Sequence, residues 1–404
     1  MTLLTVWRYL SITRKRRTKM KTIPAIVFAS LVISCATAAQ CQRDPDYDNV
    51  VIPQTRIDSR DLGYSPIDLI PDGESGITSL SVAPDGDVFG ATSGIRSHLF
   101  VINPRHGYVI PIGVVPDAQA VTHALVVSAA GDVFLGASPS GHLLEYVPQD
   151  LANLQIDIGR PLPVIDHGIA IPGEGIETLA IDRQRNMIFG LTEPNAHMFR
   201  FSITANKFTD LGVIAKNPPW GEKFEHEKMM SRMLAVDAAG NVFASGENGS
   251  IYRYAAATGL LEKLPIHAPA IPGREPYTRV DAFLAGDVGM IYGGTSDGYL
   301  FRLDPKKLII VNLGKPLNQY DIAGLANSAD GKLYGVGGGA LDMARMFSYD
   351  PSTGAYDLQG FIDVNRRPYY TWQAYVIGAI VSDNLGTIYI GEDERISKLY
   401  LFYP

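Results

Sequence analysis

Four chemically useful side chains recur at a common spacing in this chain. His123, Glu177, Arg232 and Asp281 follow one another at intervals of 54, 55 and 49 residues. Each stands two positions before the apolar residue that anchors a short strand-like run. Thr78, Ala323 and Gly378 hold the same place in three further copies. A second set, His98, His142, His197, Ser250 and Tyr299, opens another strand of each copy. An imidazole can take or give a proton near neutral pH, and a guanidinium matches a carboxylate or sulfate in charge and shape. The loops leading into these copies add Trp220, His226, Arg274, Tyr277, Arg279 and Tyr370. Aromatic platforms interleaved with Arg, beside a His-rich floor, suit a carbohydrate that carries anionic groups. The plain alternatives are a His that caps a turn, a ring of structural ion pairs through Glu177, Arg232 and Asp281, and aromatics that pack their own loops.

Something must bring residues so far apart in sequence to one place, and internal repetition supplies it. An apolar strand, a Gly- or Asn-containing turn and a short strand ending near an aromatic recur as LSVAPDGDVFGA, LVVSAAGDVFLGA, LAIDRQRNMIFGL, LAVDAAGNVFAS, FLAGDVGMIYGG, LANSADGKLYGV and IVSDNLGTIYIG. The aromatic falls at Phe89, Phe134, Phe189, Phe243, Tyr292, Tyr334 and Tyr389, 42 to 55 residues apart. Two further strand-like runs follow most copies, HLFVIN and YVIPIGVV in the first. Four short strands per repeat is the pattern of a propeller blade, which cannot bury its faces alone and must stack on neighbours. The expected fold is all-β, a seven-bladed β-propeller over residues 50–404. The seventh copy runs out after three strands. IDSRDLG, from Ile57, resembles the outer strands AYDLQG and KFTDLG, so an N-terminal strand is expected to complete the last blade and close the ring.

Composition narrows the partners. The chain of 404 residues has 46% apolar and 19% charged residues and two Cys, which excludes disordered, collagen-like and disulfide-scaffold classes. Residues 1–41 carry seven Lys or Arg and no acid, leaving 28 basic against 42 acidic groups in the rest. A body that acidic is a poor ligand for nucleic acid. Within 1–41, the basic Met20-Lys21-Thr22 and the eleven apolar residues Ile23 to Ile33 read as a secretory signal, with an upstream extension before Met20. Val32-Ile33-Ser34-Cys35 resembles a lipobox, and Ala36-Thr37-Ala38 offers an alternative cleavage site; the first is preferred, giving a lipid anchor at Cys35. Residues 42–49 read as a linker, and no structural disulfide is expected between Cys35 and Cys41. An exported protein is expected: periplasmic, on the cell surface or extracellular, and monomeric.

An exported seven-bladed propeller with this residue set resembles the propeller polysaccharide lyases, the ulvan lyases in particular. That family cleaves uronic-acid linkages by β-elimination. It places a His at an inner-strand start, a second His about twenty residues on, an Arg two blades later and a Tyr some forty residues beyond. Here His123, His142, Arg232 and Tyr277 stand at intervals of 19, 90 and 45. Where the family carries a further Tyr shortly before the Arg, this chain has Trp220, Phe224 and His226. The resemblance implies that His123 is the base or carboxylate partner, with His142 its neighbour. Arg232 would neutralise the uronate carboxylate, and Tyr277 would be the proton donor. It places Glu177, His197, Trp220, His226, Arg274, Asp281, Tyr299 and Tyr370 around the substrate, an acidic polysaccharide or oligosaccharide.

This chemistry requires no cofactor, although a structural divalent cation is compatible with the channel. Two rivals carry different expectations. A non-catalytic carbohydrate-binding or scaffold lipoprotein would bind glycan and cleave nothing. A metal-dependent lactonase-type propeller would ring a divalent ion with acidic ligands, yet Arg232 stands between Glu177 and Asp281 and would repel it. No phosphate-binding fingerprint joins a strand to a helix.

Overall fold

The computed structural model describes residues 50–63, 67–149, 158–215, 230–286, 289–366 and 370–404. The signal segment, the linker, Cys35, Cys41, Trp220 and His226 lie outside them. The described chain forms seven antiparallel blade sheets, six of four strands and a first one that two short strands, Ala118–Ala120 and Ser138–Pro139, extend to six, and a separate hairpin pairs Asp363–Arg366 with Tyr370–Gln373. The innermost strands begin at Gly76, Leu125, Gly175, Ala235, Val280, Gly324 and Ile377. Each of them packs against the next, and the last, Ile377–Ser382, packs against the first, Gly76–Val82, so the ring is closed. Helix is confined to two short 3₁₀ turns, Glu247–Gly249 and Glu275–Tyr277, among the described residues.

Closure follows the expected route. Ile57–Arg60 pairs antiparallel with Leu399–Phe402, setting Ile57 opposite Phe402 and Arg60 opposite Leu399. Blade 7 is thus built from both ends of the propeller, and this pairing covers an edge that would otherwise expose unpaired backbone groups. Just upstream, Val51 bridges Phe361 on the outer strand of blade 6, so one N-terminal segment ties two blades together.

The repeated aromatic–glycine phrase has a packing cause. Gly90, Gly190, Gly293 and Gly335 lie directly opposite Phe100, Phe199, Phe301 and Phe347 on the third strand of the same blade. Each Phe ring lies across its glycine, so a Cβ there would overlap the ring. The aromatic before each glycine turns to the other face, as period-two alternation requires, and is buried between blades. One dipeptide therefore seats two rings, one on each side of the sheet.

A second feature recurs at the head of the inner strands. The register of the inner strand skips one residue at Thr78, Glu177, Asp281 and Gly378. A β-bulge leaves its extra residue unpaired and re-aims its side chain. These are the positions at which the repeats align their polar residues. In blade 2 the equivalent residue, His123, instead takes a left-handed backbone (φ 46°), a conformation that costs a non-glycine residue about 1–2 kcal/mol.

Candidate functional site

The bulges and loop ends of blades 4, 5 and 6 assemble a cluster of four charged side chains. Asp281, fully buried, accepts a hydrogen bond on Oδ1 from Arg279 Nε at 2.5 Å. Arg232 from blade 4 brings its Nε to 3.7 Å from the same oxygen and its Nη1 to 3.9 Å from Asp321 Oδ2 of blade 6. Arg232 keeps 41% of its side chain exposed, and Asp321 keeps 25%. Arg279 and Asp281 share a face because they are two residues apart at the head of a strand. Asp321 stands at the same offset before Ala323.

The electrostatics of this group are uneven. Burial drives the Asp321 carboxyl well above the usual carboxylate range, and the neighbouring Asp281 charge adds to the shift. Burial also acts on Asp281, but the Arg279 and Arg232 guanidiniums outweigh it and hold that carboxyl below its ordinary value. His123 faces the same charges. Burial first, then the positive Arg232, push its imidazole down to about 3, with Asp281 opposing; it is neutral at physiological pH. Asp393 of blade 7, raised by burial and lowered by Ser93 and Arg232, completes the set.

The small residues Ala323 and Gly378 at this repeat position predict open space on their side of the ring. The structure corrects this at Gly378, where the Cβ of Asp393 lies 3.0 Å from the place a Gly378 side chain would start. Arg232 is also more committed than the elimination chemistry requires, because it already faces two carboxylates. The repeat alignment compares one position on the inner strand and one on the third strand, and Asp321 and Asp393 lie at neither. Reading two residues further upstream would have found Asp321. Asp393 lies in a loop between strands and had no repeat signal.

The remaining candidates take other partners. His142 hydrogen-bonds through Nδ1 to Asp166 on the outermost strand of blade 2, 2.9 Å away. His197 does the same with Asp210 of blade 3 at 3.2 Å, and lies 3.6 Å from Glu174. Glu177 occupies its bulge half-buried. Arg274 is paired with buried Asp297 at 2.9 Å, and its guanidinium lies 6.0 Å from the Tyr277 ring. Tyr299 lies 5.7 Å from Lys315 Nζ. Tyr370 shares Lys398 with Trp372, the ammonium lying 5.3 and 5.0 Å from the two rings. The structure therefore brings His123, Arg232 and Asp281 into one electrostatic group, while His142, His197, Arg274 and Tyr370 engage residues of their own blade or lead-in loop.

Several of those partners follow a pattern. Glu74, Glu174, Asp297 and Glu392 are buried carboxylates in blades 1, 3, 5 and 7, and each accepts hydrogen bonds from loop or strand-end groups. They tie the upper loops to their blades. His98, wholly buried with Nε2 at 2.6 Å from Glu74 Oε2, belongs to such a tie. At the opposite end of the ring, Arg183 of blade 3 donates to the carbonyls of Val127 and Val82, both at 2.8 Å. No group of three or more His, Cys, Asp or Glu among the described residues is placed to hold a metal ion.

No protein family's sequence profile matches the chain, and no curated protein matches it by sequence. Solved structures do match in shape. A streptogramin B lyase superposes with a TM-score of 0.62 at 13% identity, over 86% of this chain and 98% of that one. A catalytically inactive histidine-to-alanine variant of virginiamycin B lyase from Staphylococcus aureus, solved with quinupristin, gives 0.61 at 11% identity over 86% and 100%. A copper-bound fungal alcohol oxidase gives 0.56 at 14% over 85% and 77%. The chain is a seven-bladed β-propeller. At these identities the likeness extends to the fold, and the propeller shares that fold with proteins of unlike chemistry.

Proposed function

We propose that this propeller is a lyase that cleaves a uronate-containing polysaccharide by β-elimination beside Arg232. The observation that carries the reading is the half-exposed Arg232 guanidinium, whose charge also acts on the His123 imidazole. β-Elimination must stabilise charge on a carboxylate while a base removes the proton α to it. Arg232 supplies the first function, with Arg279 behind it. His123 supplies the second. An imidazole held near pKa 3 is by itself a weak base. Burial is the larger cause of that value, and a bound carboxylate would offset the second, the Arg232 charge, and so raise the basicity of His123 as the substrate arrives. The left-handed backbone of His123 is the kind of strain that concentrates at functional sites. Two of the similar folds belong to lyases, one of them inactivated by loss of a histidine. On this reading the chain acts outside the cytoplasm, as its apolar N-terminal stretch implies.

The test is a product assay against ulvan, heparan-type, chondroitin-type and pectic polymers, following the near-ultraviolet absorbance of unsaturated uronates. Activity lost in Arg232→Ala and His123→Ala supports the reading; full activity in both ends it. The engagement of Arg232 with two carboxylates favours one alternative, a non-catalytic propeller that binds acidic glycan. Binding without cleavage of every polymer in the panel would select it.

A further inference from the structure

We infer that Asp281 and Asp321 share one proton, and that Asp321 presents it to the channel as the acid of the site. The inference rests on the proposed elimination for its second half only. The geometry comes from two orphaned atoms. Asp281 Oδ2 and Asp321 Oδ1 are both buried and have no hydrogen-bond donor among the described residues, while the other oxygens of the two carboxyl groups lie 3.7 and 3.9 Å from the one Arg232 guanidinium, an arrangement in which the two carboxyls interact directly. Two ionised carboxylates cannot occupy that position. One proton between them satisfies both oxygens and removes the repulsion.

The surroundings decide which member carries it. Asp281 is fully buried and clamped by Arg279 on its own strand. Arg232 of blade 4 faces both carboxyls. His123 of blade 2 and Asp393 of blade 7 complete the ionisable surroundings through their interactions with Arg232. The two guanidiniums favour charge on Asp281, so the proton resides on Asp321, the member with an exposed edge. The upward shift of Asp321 agrees with that assignment.

In the elimination, His123 takes the α-proton and the electron pair of that C–H bond becomes the new C=C bond. The C–O bond to the departing sugar breaks with its pair, and Asp321 gives that oxygen its proton. The products are an unsaturated uronate end and a free hydroxyl. Return of the proton from the His123 imidazolium to Asp321 resets the site, and no other reactant is consumed. This arrangement supplies an acid beside the guanidinium, whereas Tyr277 stands with Arg274 in the lead-in loop.

Infrared difference spectroscopy on the full chain tests the shared proton without any substrate. At neutral pH the wild type should show a protonated-carboxyl C=O band that is absent from Asp321→Asn and shifted in frequency in Asp281→Asn, since the first variant removes the acid that carries the proton and the second removes the carboxylate that accepts its hydrogen bond. Glu392→Gln identifies the separate contribution of that buried acid. The Asn amide can still donate to the remaining carboxylate, so the fold is retained, and the circular dichroism of each variant checks this. On the polymer that the wild type cleaves, Asp321→Asn should lower kcat about 10²–10⁴-fold, the range typical of general acids. KM should hardly move, and the alkaline limb of the kcat profile should disappear. A band that persists in Asp321→Asn, or one that stays unmoved in Asp281→Asn, overturns the shared proton. Wild-type turnover with an intact alkaline limb in Asp321→Asn overturns the acid role and leaves the lyase reading standing. A wild type that cleaves nothing refutes the lyase reading and the acid role with it, while the infrared band still decides the shared proton.

Discussion

Arg232 and Asp281 meet across the boundary between blades 4 and 5 at 3.7 Å, and the carboxylate that Arg232 approaches is already held by Arg279 at 2.5 Å. The two arginines thus have unequal work. Arg279 holds a buried charge, and its loss would strand it; Arg232 is far more exposed and is replaceable as a structural partner.

Arg279→Ala is therefore expected to destabilise the propeller by about 3–5 kcal/mol, the range for breaking a buried pair. Arg232→Ala should cost under about 1 kcal/mol, because solvent screens a partly exposed pair. Urea unfolding midpoints measure both. The lyase reading requires that Arg232→Ala lose activity at nearly unchanged stability; a large stability loss there would favour a structural tie.

His123 should remain neutral from pH 8 down to about 4, since burial and the Arg232 charge place its protonation near 3. The folded value lies below the unfolded one of about 6.5. Stability from this group is therefore complete above about pH 6.5 and is lost as pH falls towards 3. Imidazole NMR signals across that range check it. Addition of a uronate oligosaccharide should move the titration upwards.

Glu392 behaves in the opposite sense. Its carboxyl is pushed up to about 7 by burial, against hydrogen bonds to Oε2 from Trp372, the Lys398 backbone and Tyr400. Below the ordinary value of about 4.5 the group is protonated in both states; between there and 7 only the folded chain keeps the proton, so stability falls as pH rises. The window corresponds to roughly 3 kcal/mol. Glu392→Gln, whose amide oxygen can accept the same bonds, should flatten the profile and raise the melting temperature at pH 8. An unchanged profile would show that Glu392 ionises normally.

Ring closure through Ile57–Arg60 makes that strand a stability element. Ile57 is buried opposite Phe402, and Ile57→Ala should cost about 2–5 kcal/mol. Ile57→Asp should be worse, as it buries an unpaired charge at the closing seam. Calorimetry that finds both variants as stable as the wild type would mean that the last blade does not depend on the N-terminal strand.

The sequence by itself determined the number of blades, their strand order and the closing strand, because those rest on pairing with neighbours along the chain. The phrase around Phe89-Gly90 or Tyr292-Gly293 encodes which residue faces which sheet, and period-two alternation carries that information without knowledge of the rest. It also marked the positions where the inner strands bulge, since Thr78, Glu177, Asp281 and Gly378 share a repeat position. Only the tertiary structure decided what those residues meet. The Asp281–Asp321 pair and the meeting of Arg232 with Asp281 join different blades, and Asp393 fills the space beside Gly378 from another loop of the same blade. They depend on bulges and on lead-in loops of unequal length that no repeat encodes. His142 and Arg274 show the same limit from the other side: their types suited chemistry, but a carboxylate on an adjacent strand or loop lay nearer than the axis, and short-range ion pairing set their contacts.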